Sequence, residues 1–196
     1  MLIISQPKTA SDSLLHSIKS ATNMPGVQDM LLKYRRPKYK RDNIYIWPHS
    51  DAAVNINVEK IIEWSRPKVW RKQHLVPSDN NLKILLDNKI KAVIVLRDIE
   101  DTIASYDRVF KDYNLKDKGE KYRLAITDFY NKYNALRDID HFLFIDFEYI
   151  INNPAAAINN ILEFFDLKIR VDSKFKLTKQ HFSNWRKNIG ANKNAK

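Results

Sequence analysis

The stretch Leu2-Ile3-Ile4-Ser5-Gln6-Pro7-Lys8-Thr9-Ala10-Ser11-Asp12-Ser13-Leu14-Leu15 decides the fold. Three apolar residues make a short buried strand and Pro7 stops it. A turn of small residues then opens an amphipathic helix with Leu14, Leu15 and Ile18 at helical spacing. A strand that passes into a helix in this way aims several backbone N–H groups at one point. Helix N-termini carry partial positive charge and bind phosphate or sulfate, and Lys8 adds a full charge beside them. The stretch therefore reads as an anion site, specifically one for a nucleotide 5′-phosphate. The alternative makes Ser11 an ordinary helix cap and Lys8 a solvated loop lysine. No Gly-Lys-Ser/Thr follows, so this is not a Walker A loop, and the chain holds only three glycines, Gly26, Gly119 and Gly190.

Working outward, the first helix ends near Thr22-Asn23, Pro25-Gly26 marks a turn, and residues 28–33 suit a short helical turn. The run Lys33-Tyr34-Arg35-Arg36-Pro37-Lys38-Tyr39-Lys40-Arg41 interleaves basic residues with two tyrosines. It can grip a nucleic-acid backbone or an acidic glycan, or it is a solvated loop. Residues 44–47 alternate like a strand, Asn57 caps a helix over 58–64, and Pro67 closes it. Residues 69–72 read as a second core strand that runs into Gln73-His74-Leu75, and Pro77-Ser78 start a helix through Leu86.

The β-branched run Ala92-Val93-Ile94-Val95-Leu96 is what a central parallel strand buried on both faces looks like. Arg97-Asp98 end it, and a helix follows over 100–110 with Ile103, Ala104 and Tyr106 among its inward candidates. A longer helix over 120–136, a strand over 141–145 and a helical turn over 147–151 come next. Asn153-Pro154, a cap with proline at the first helical position, opens a helix to Phe165. The pattern predicts one domain over 1–190 and a disordered basic tail over 191–196.

With 196 residues and 44% hydrophobic content the chain can bury one sizeable core, and the strand–helix alternation favours a single α/β unit. The absence of cysteine excludes disulfides, thiolate metal sites and a thiol nucleophile. His16, His49, His74, His141 and His181 lack the spacing of a helical metal site, so no metal is expected. No apolar run approaches a membrane span and the first residues form a strand rather than a leader, which predicts a soluble cytoplasmic protein with no membrane partner. The net charge of +11 implies a polyanionic or phosphorylated partner, or only a lysine-rich surface.

Three blocks now stand in one order. Pro7-Lys8-Thr9-Ala10-Ser11-Asp12-Ser13 follows strand one, and Arg97-Asp98-Ile99-Glu100-Asp101-Thr102-Ile103-Ala104-Ser105-Tyr106 follows the central strand. Phe144-Ile145-Asp146-Phe147-Glu148-Tyr149-Ile150, then Asn153-Pro154 and Glu163-Phe164-Phe165, closes the core. In this the chain resembles the sulfotransferases that use 3′-phosphoadenosine 5′-phosphosulfate (PAPS) as donor. Their 5′-phosphosulfate loop has the form Pro-Lys-(Ser/Thr)-(Gly/Ala)-(Ser/Thr)-Thr-x-Leu. Their 3′-phosphate block places a serine eight residues after an arginine, as Ser105 stands to Arg97. Their Lys-x-His element is matched by Lys72-Gln73-His74, and a C-terminal basic element is echoed by Thr178-Lys179-Gln180-His181-Phe182-Ser183-Asn184-Trp185-Arg186.

There are departures. Asp12 stands where the family has a second hydroxyl residue, and a carboxylate there repels the 5′-phosphate unless it points outward. Ser13 replaces a tryptophan, Ile99 replaces a proline, and in the C-terminal element only Lys179 and Trp185 match well. The chain is also shorter than typical cytosolic members, which implies reduced acceptor-binding elements.

The resemblance implies a three-layer α/β sandwich with a central parallel sheet of about four or five strands and a P-loop-like phosphate site at their carboxyl ends. By the same resemblance Lys8 and the backbone N–H groups of Thr9, Ala10, Ser11, Asp12 and Ser13 hold the 5′-phosphosulfate, Lys8 also stabilising the leaving oxygen. Arg97 and Ser105 take the 3′-phosphate, which would distinguish PAPS from ATP. By the same resemblance His74 is the candidate general base and Lys72 steadies the sulfuryl group; without it His74 reads as a structural histidine and Lys72 as a surface lysine. Phe147 contacts adenine or is a core aromatic, and Lys179 and Trp185 help close the nucleotide site or anchor the tail.

The expected donor is PAPS, the expected product 3′-phosphoadenosine 5′-phosphate (PAP), and the expected acceptor a small molecule or glycan bearing a hydroxyl or amine; nucleic acid is not the expected partner. The rival readings are a P-loop nucleotide kinase, a basic nucleic-acid-binding module centred on 33–41 and the tail, and a PAPS- or PAP-binding homologue that has lost turnover.

Overall fold

The computed structural model describes residues 1–5, 11–27, 56, 58–113 and 119–177. Its centre is β4 (Ala92–Leu96), an unbroken apolar run buried at every position. A strand with no polar residue is stable only where both faces are covered, and that forces layers of helix on either side.

Strand β1 (Leu2–Ser5) lies beside β4 with Ile3 opposite Val93, and on its other side pairs β3 (Trp70–Gln73) with Ile3 opposite Lys72. Beyond β4 lies β5 (Phe142–Asp146), and beyond β3 the two-residue β2 (Gly26–Val27). All neighbours are parallel, in the order β2-β3-β1-β4-β5. The expected turn at Pro25-Gly26 is in fact the start of this edge strand. Pro25 has no N–H to give, but its carbonyl accepts from the Trp70 N–H at 3.0 Å, and that bond opens the pairing.

Side chains leave the sheet alternately and build two cores. Ile3, Trp70, Val93, Val95 and Ile145 pack with Leu14, Leu15 and Ile18 of α1 (Ser11–Thr22) and with Ala157, Ile158, Ile161 and Leu162 of α7 (Pro154–Phe164). On the opposite face Leu2, Ile4, Ile94 and Leu96 meet Ile61 of α2 (Val58–Ser65), Leu85 of α3 (Asp79–Asp87), and Phe129 and Tyr133 of α5 (Gly119–Asn134). Between β4 and α5 runs α4 (Ile99–Tyr113), and the short α6 (Phe147–Asn152) leads from β5 to α7. The result is a three-layer α/β sandwich with a parallel sheet.

With glycine so scarce, helices end on other residues. After α3, Lys89 has φ 46° and donates to Leu86 while Ile90 reaches back to the Leu85 carbonyl; after α7, Asp166 at φ 57° and Leu167 repeat the pattern. Both are Schellman closures on a left-handed residue that glycine would occupy without strain. At helix starts, Ser78 caps α3 by accepting from the Asn81 N–H at 3.2 Å, as expected. Asn153 precedes Pro154 at the start of α7, but its side chain makes no cap hydrogen bond; only its carbonyl serves the helix, accepting from Ala157 at 2.9 Å.

The expected features at 28–33, 33–41 and 44–47, the cap at Asn57 and the tail beyond residue 177 lie outside the described residues.

Candidate active site

In an open parallel sheet the strands point their carboxyl ends at one edge, and ligands gather where neighbouring crossovers diverge. Here that point is β1, whose neighbours β3 and β4 are followed by helices on different segments of the chain. Ser5 ends β1, His74 directly follows β3 and Arg97 directly follows β4. Residues far apart in sequence thus meet along one edge of the sheet.

His74 is fixed by β1. Its Nδ1 lies 2.7 Å from the backbone carbonyl oxygen of Ser5, which can only accept, so Nδ1 carries the proton; the Ser5 hydroxyl is 3.2 Å from the same nitrogen. In the neutral ring the lone pair then belongs to Nε2. The backbone after His74 is held as well. Tyr133 donates its hydroxyl to the Leu75 carbonyl at 3.0 Å, and Asn81 donates Nδ2 to the Val76 carbonyl at 2.9 Å. Burial raises the Tyr133 pKa well above its ordinary value, so the phenol stays a donor.

Lys72 lies one residue inside the end of β3 on the same face as Trp70, and that face is covered by α1. Trp70 Nε1 donates to Thr22 Oγ1 at 3.1 Å near the end of α1, and Lys72 Nζ donates to Asp12 Oδ1 in its first turn. Only 4% of the Lys72 side chain is exposed, against 43% for Asp12. Lys72 is therefore no surface lysine. The Asp12 carboxylate, although partly exposed, meets the buried ammonium. Ser11 and Ser13 flank it, both buried.

After β4 the Arg97 guanidinium lies over the Phe147 ring, 4.3 Å from its centroid, with Nε 3.9 Å from the Glu148 carboxylate. Asp98 caps α4, its carboxylate accepting from the Asp101 N–H at 3.0 Å. Ser105 is half-buried, a turn and a half further along α4. One turn earlier on the same helix face, Thr102 is fully buried, and its hydroxyl has no hydrogen-bond partner among the described residues.

Of the residues expected to form the site, Ser11, Asp12, Ser13, Lys72, His74, Arg97, Ser105 and Phe147 are described; Lys8, Thr9, Ala10, Lys179 and Trp185 are not. Two contacts join them in pairs, Lys72 with Asp12 and Arg97 with Phe147. Sequence reasoning missed Ser5, Tyr133 and Asn81. Ser5 left one trace, a polar residue closing an apolar strand. Nothing local marks Tyr133 or Asn81, whose bonds span 58 and 5 residues. Among the described residues no cluster of His, Asp and Glu could hold a metal ion, and no helix is long and apolar enough to cross a membrane.

Comparison with known proteins bears on this geometry. The profile of the sulfotransferase domain family matches residues 2–195. A search of curated proteins finds no match. Among solved structures the chain is similar to a sulfotransferase from Alicyclobacillus acidocaldarius, with a TM-score of 0.55 and 13% identity over 97% of this chain and 90% of that one. It is similar also to mouse sulfotransferase SULT7A1 complexed with PAP, with a TM-score of 0.52 and 11% identity over 96% of this chain and 63% of that one. A third is retinol dehydratase in complex with androsterone and the inactive cofactor PAP, with a TM-score of 0.50 and 18% identity over 89% of this chain and 61% of that one. The chain spans less than two thirds of the length of these last two. At such identities the likeness is one of fold.

Proposed function

Because the chain belongs to the sulfotransferase domain family, we propose that it transfers a sulfuryl group from PAPS to a hydroxyl (or amine) of a small-molecule or glycan acceptor. The observation that carries this reading is the clamp of His74 Nδ1 on the Ser5 carbonyl, which leaves the Nε2 lone pair for a proton. Lys72 and Arg97 stand at the ends of the two strands that flank β1, cations suited to an anionic donor.

For a hydroxyl acceptor, His74 Nε2 takes the proton as the acceptor oxygen bonds to sulfur. The bond from sulfur to the bridging oxygen breaks, its electron pair stays on the 5′-phosphate, and the products are a sulfate ester and PAP. Such a transfer needs in-line positioning and positive charge at the leaving oxygen. Lys8 supplies that charge in this reading, and Arg97 with Ser105 holds the 3′-phosphate. That neighbours in fold are complexed with PAP, one of them also with androsterone, is consistent with a nucleotide donor and a small hydroxyl-bearing acceptor. In this reading the protein acts in the cytoplasm.

The test is calorimetric titration with PAP beside ATP and AMP, repeated with Arg97→Ala. Micromolar PAP binding that needs the 3′-phosphate and weakens by about tenfold or more in the variant supports the reading. Binding no tighter than that of AMP overturns it.

A further inference from the structure

Nothing in the family pattern calls for an acid beside the second lysine, yet Lys72 and Asp12 are in contact here. The burial alternation of β3 turns Trp70 and Lys72 to one face, and α1 lies across both, bonded to Trp70 through Thr22 and to Lys72 through Asp12. The ammonium is enclosed and its stem has little freedom. A buried cation without a counter-charge is costly, and Asp12 supplies the counter-charge. Asp12 also lies in the first turn of α1, where a carboxylate takes up part of the positive potential that a bound phosphate would use.

We propose that Asp12 is the positioning residue for Lys72 and the charge that limits how tightly the site holds its nucleotide. Its carboxylate lodges the ammonium at the end of β3 and cancels its field, so donor and product meet the net charge of Lys8 and Arg97 with Lys72 already neutralised. In the loaded site the sulfuryl oxygens compete with Asp12 for Lys72. After transfer the group is gone, Asp12 recovers the lysine, and PAP is left with one attraction fewer, which favours its release. This rests on the sulfotransferase reading.

The test is the affinity for PAP, and its dependence on salt, across wild type, Asp12→Asn, Lys72→Met and the double variant. Removing the carboxylate frees one positive charge beside the phosphates, so Asp12→Asn binds PAP about threefold to tenfold tighter and with a steeper salt dependence. Lys72→Met leaves a bare carboxylate there and binds PAP about threefold to tenfold weaker. The double variant, neutral like the wild-type pair, returns close to wild-type affinity. It also covers the case in which Asp12→Asn fails to fold around its unpaired lysine, because the double variant then folds and binds PAP while the single does not.

A pair whose charges do not reach the phosphates would leave PAP affinity unchanged in Lys72→Met, and an acid serving only the helix end would leave it unchanged in Asp12→Asn. Either result, with wild type binding PAP, overturns the inference alone. A wild type that binds no PAP overturns the sulfotransferase reading and this inference with it.

Discussion

The imidazole of His74 is held by Ser5, a residue 69 positions away, through Nδ1 and a backbone carbonyl oxygen 2.7 Å apart. The bond joins the end of β3 to the end of β1 and settles which nitrogen bears the proton. An asparagine at position 74 can keep a donor on that carbonyl but offers no base. His74→Asn is thus expected to fold, with PAP affinity close to wild type, while kcat falls by about 10²–10⁴. Steady-state kinetics beside calorimetry checks this, and a parallel loss of PAP binding would assign His74 a structural role.

Arg97 lies on the face of Phe147, so the aromatic both screens the guanidinium and aims it. In Phe147→Ala the arginine loses that support. PAP is then expected to bind about threefold to tenfold more weakly, from a lost contact worth ~0.5–1 kcal/mol and a less ordered arginine. Phe147→Tyr keeps the ring and should bind as wild type does. Titration of both variants decides it.

Tyr133 is the buried phenol that holds the backbone beside His74, and burial raises its pKa well above 10.0. The unfolded chain releases that proton near pH 10.0 and the folded chain keeps it. The stability it contributes is complete below that pH and declines as pH rises through the raised folded value. In an ultraviolet titration of the nine tyrosines, one should ionise only as the chain unfolds, and Tyr133→Phe should remove that component. The same substitution leaves the Leu75 carbonyl unmet and should destabilise the fold by ~1–3 kcal/mol in urea melts.

Asn159 grips the chain after α7 at both backbone groups of Val171, donating to its carbonyl at 3.0 Å and accepting from its N–H at 2.9 Å. Asn159→Ala should cost ~1–3 kcal/mol and speed amide hydrogen exchange over 169–177 more than in β4. Uniform exchange changes would refute a local role.

Lys89 closes α3 at φ 46°, where a side chain is strained and glycine is not. Lys89→Gly is expected to raise stability by ~0.5–1 kcal/mol, or a few degrees in Tm, with no change in PAP binding. Thermal denaturation tests it.

Much of this protein was legible in its sequence, for physical reasons. The unbroken run from Ala92 to Leu96 is too apolar for any place but the middle of a sheet, and Leu14, Leu15 and Ile18 mark the buried side of α1 by helical period. Ser78 and Pro154 announced helix starts. Lys72, His74, Arg97 and Ser105 stood out through the resemblance to the sulfotransferase motifs; residue type and position alone would make His74 a structural histidine and Lys72 a surface lysine. Pro25-Gly26 misled, because the same dipeptide that makes turns also opens an edge strand once Trp70 is there to pair with it.

What sequence alone determined, among the described residues, is the order of strands and helices apart from β2, since local period, caps and proline act through neighbours in the chain. What only the tertiary structure decided is the partnering across that order: Ser5 with His74, Asp12 with Lys72, Phe147 with Arg97, Tyr133 with the Leu75 carbonyl. Those contacts depend on the order β3-β1-β4-β5 and on the helices packed over it, and strand order is set by which faces bury best together. That is a property of the packed sheet and of no stretch within it.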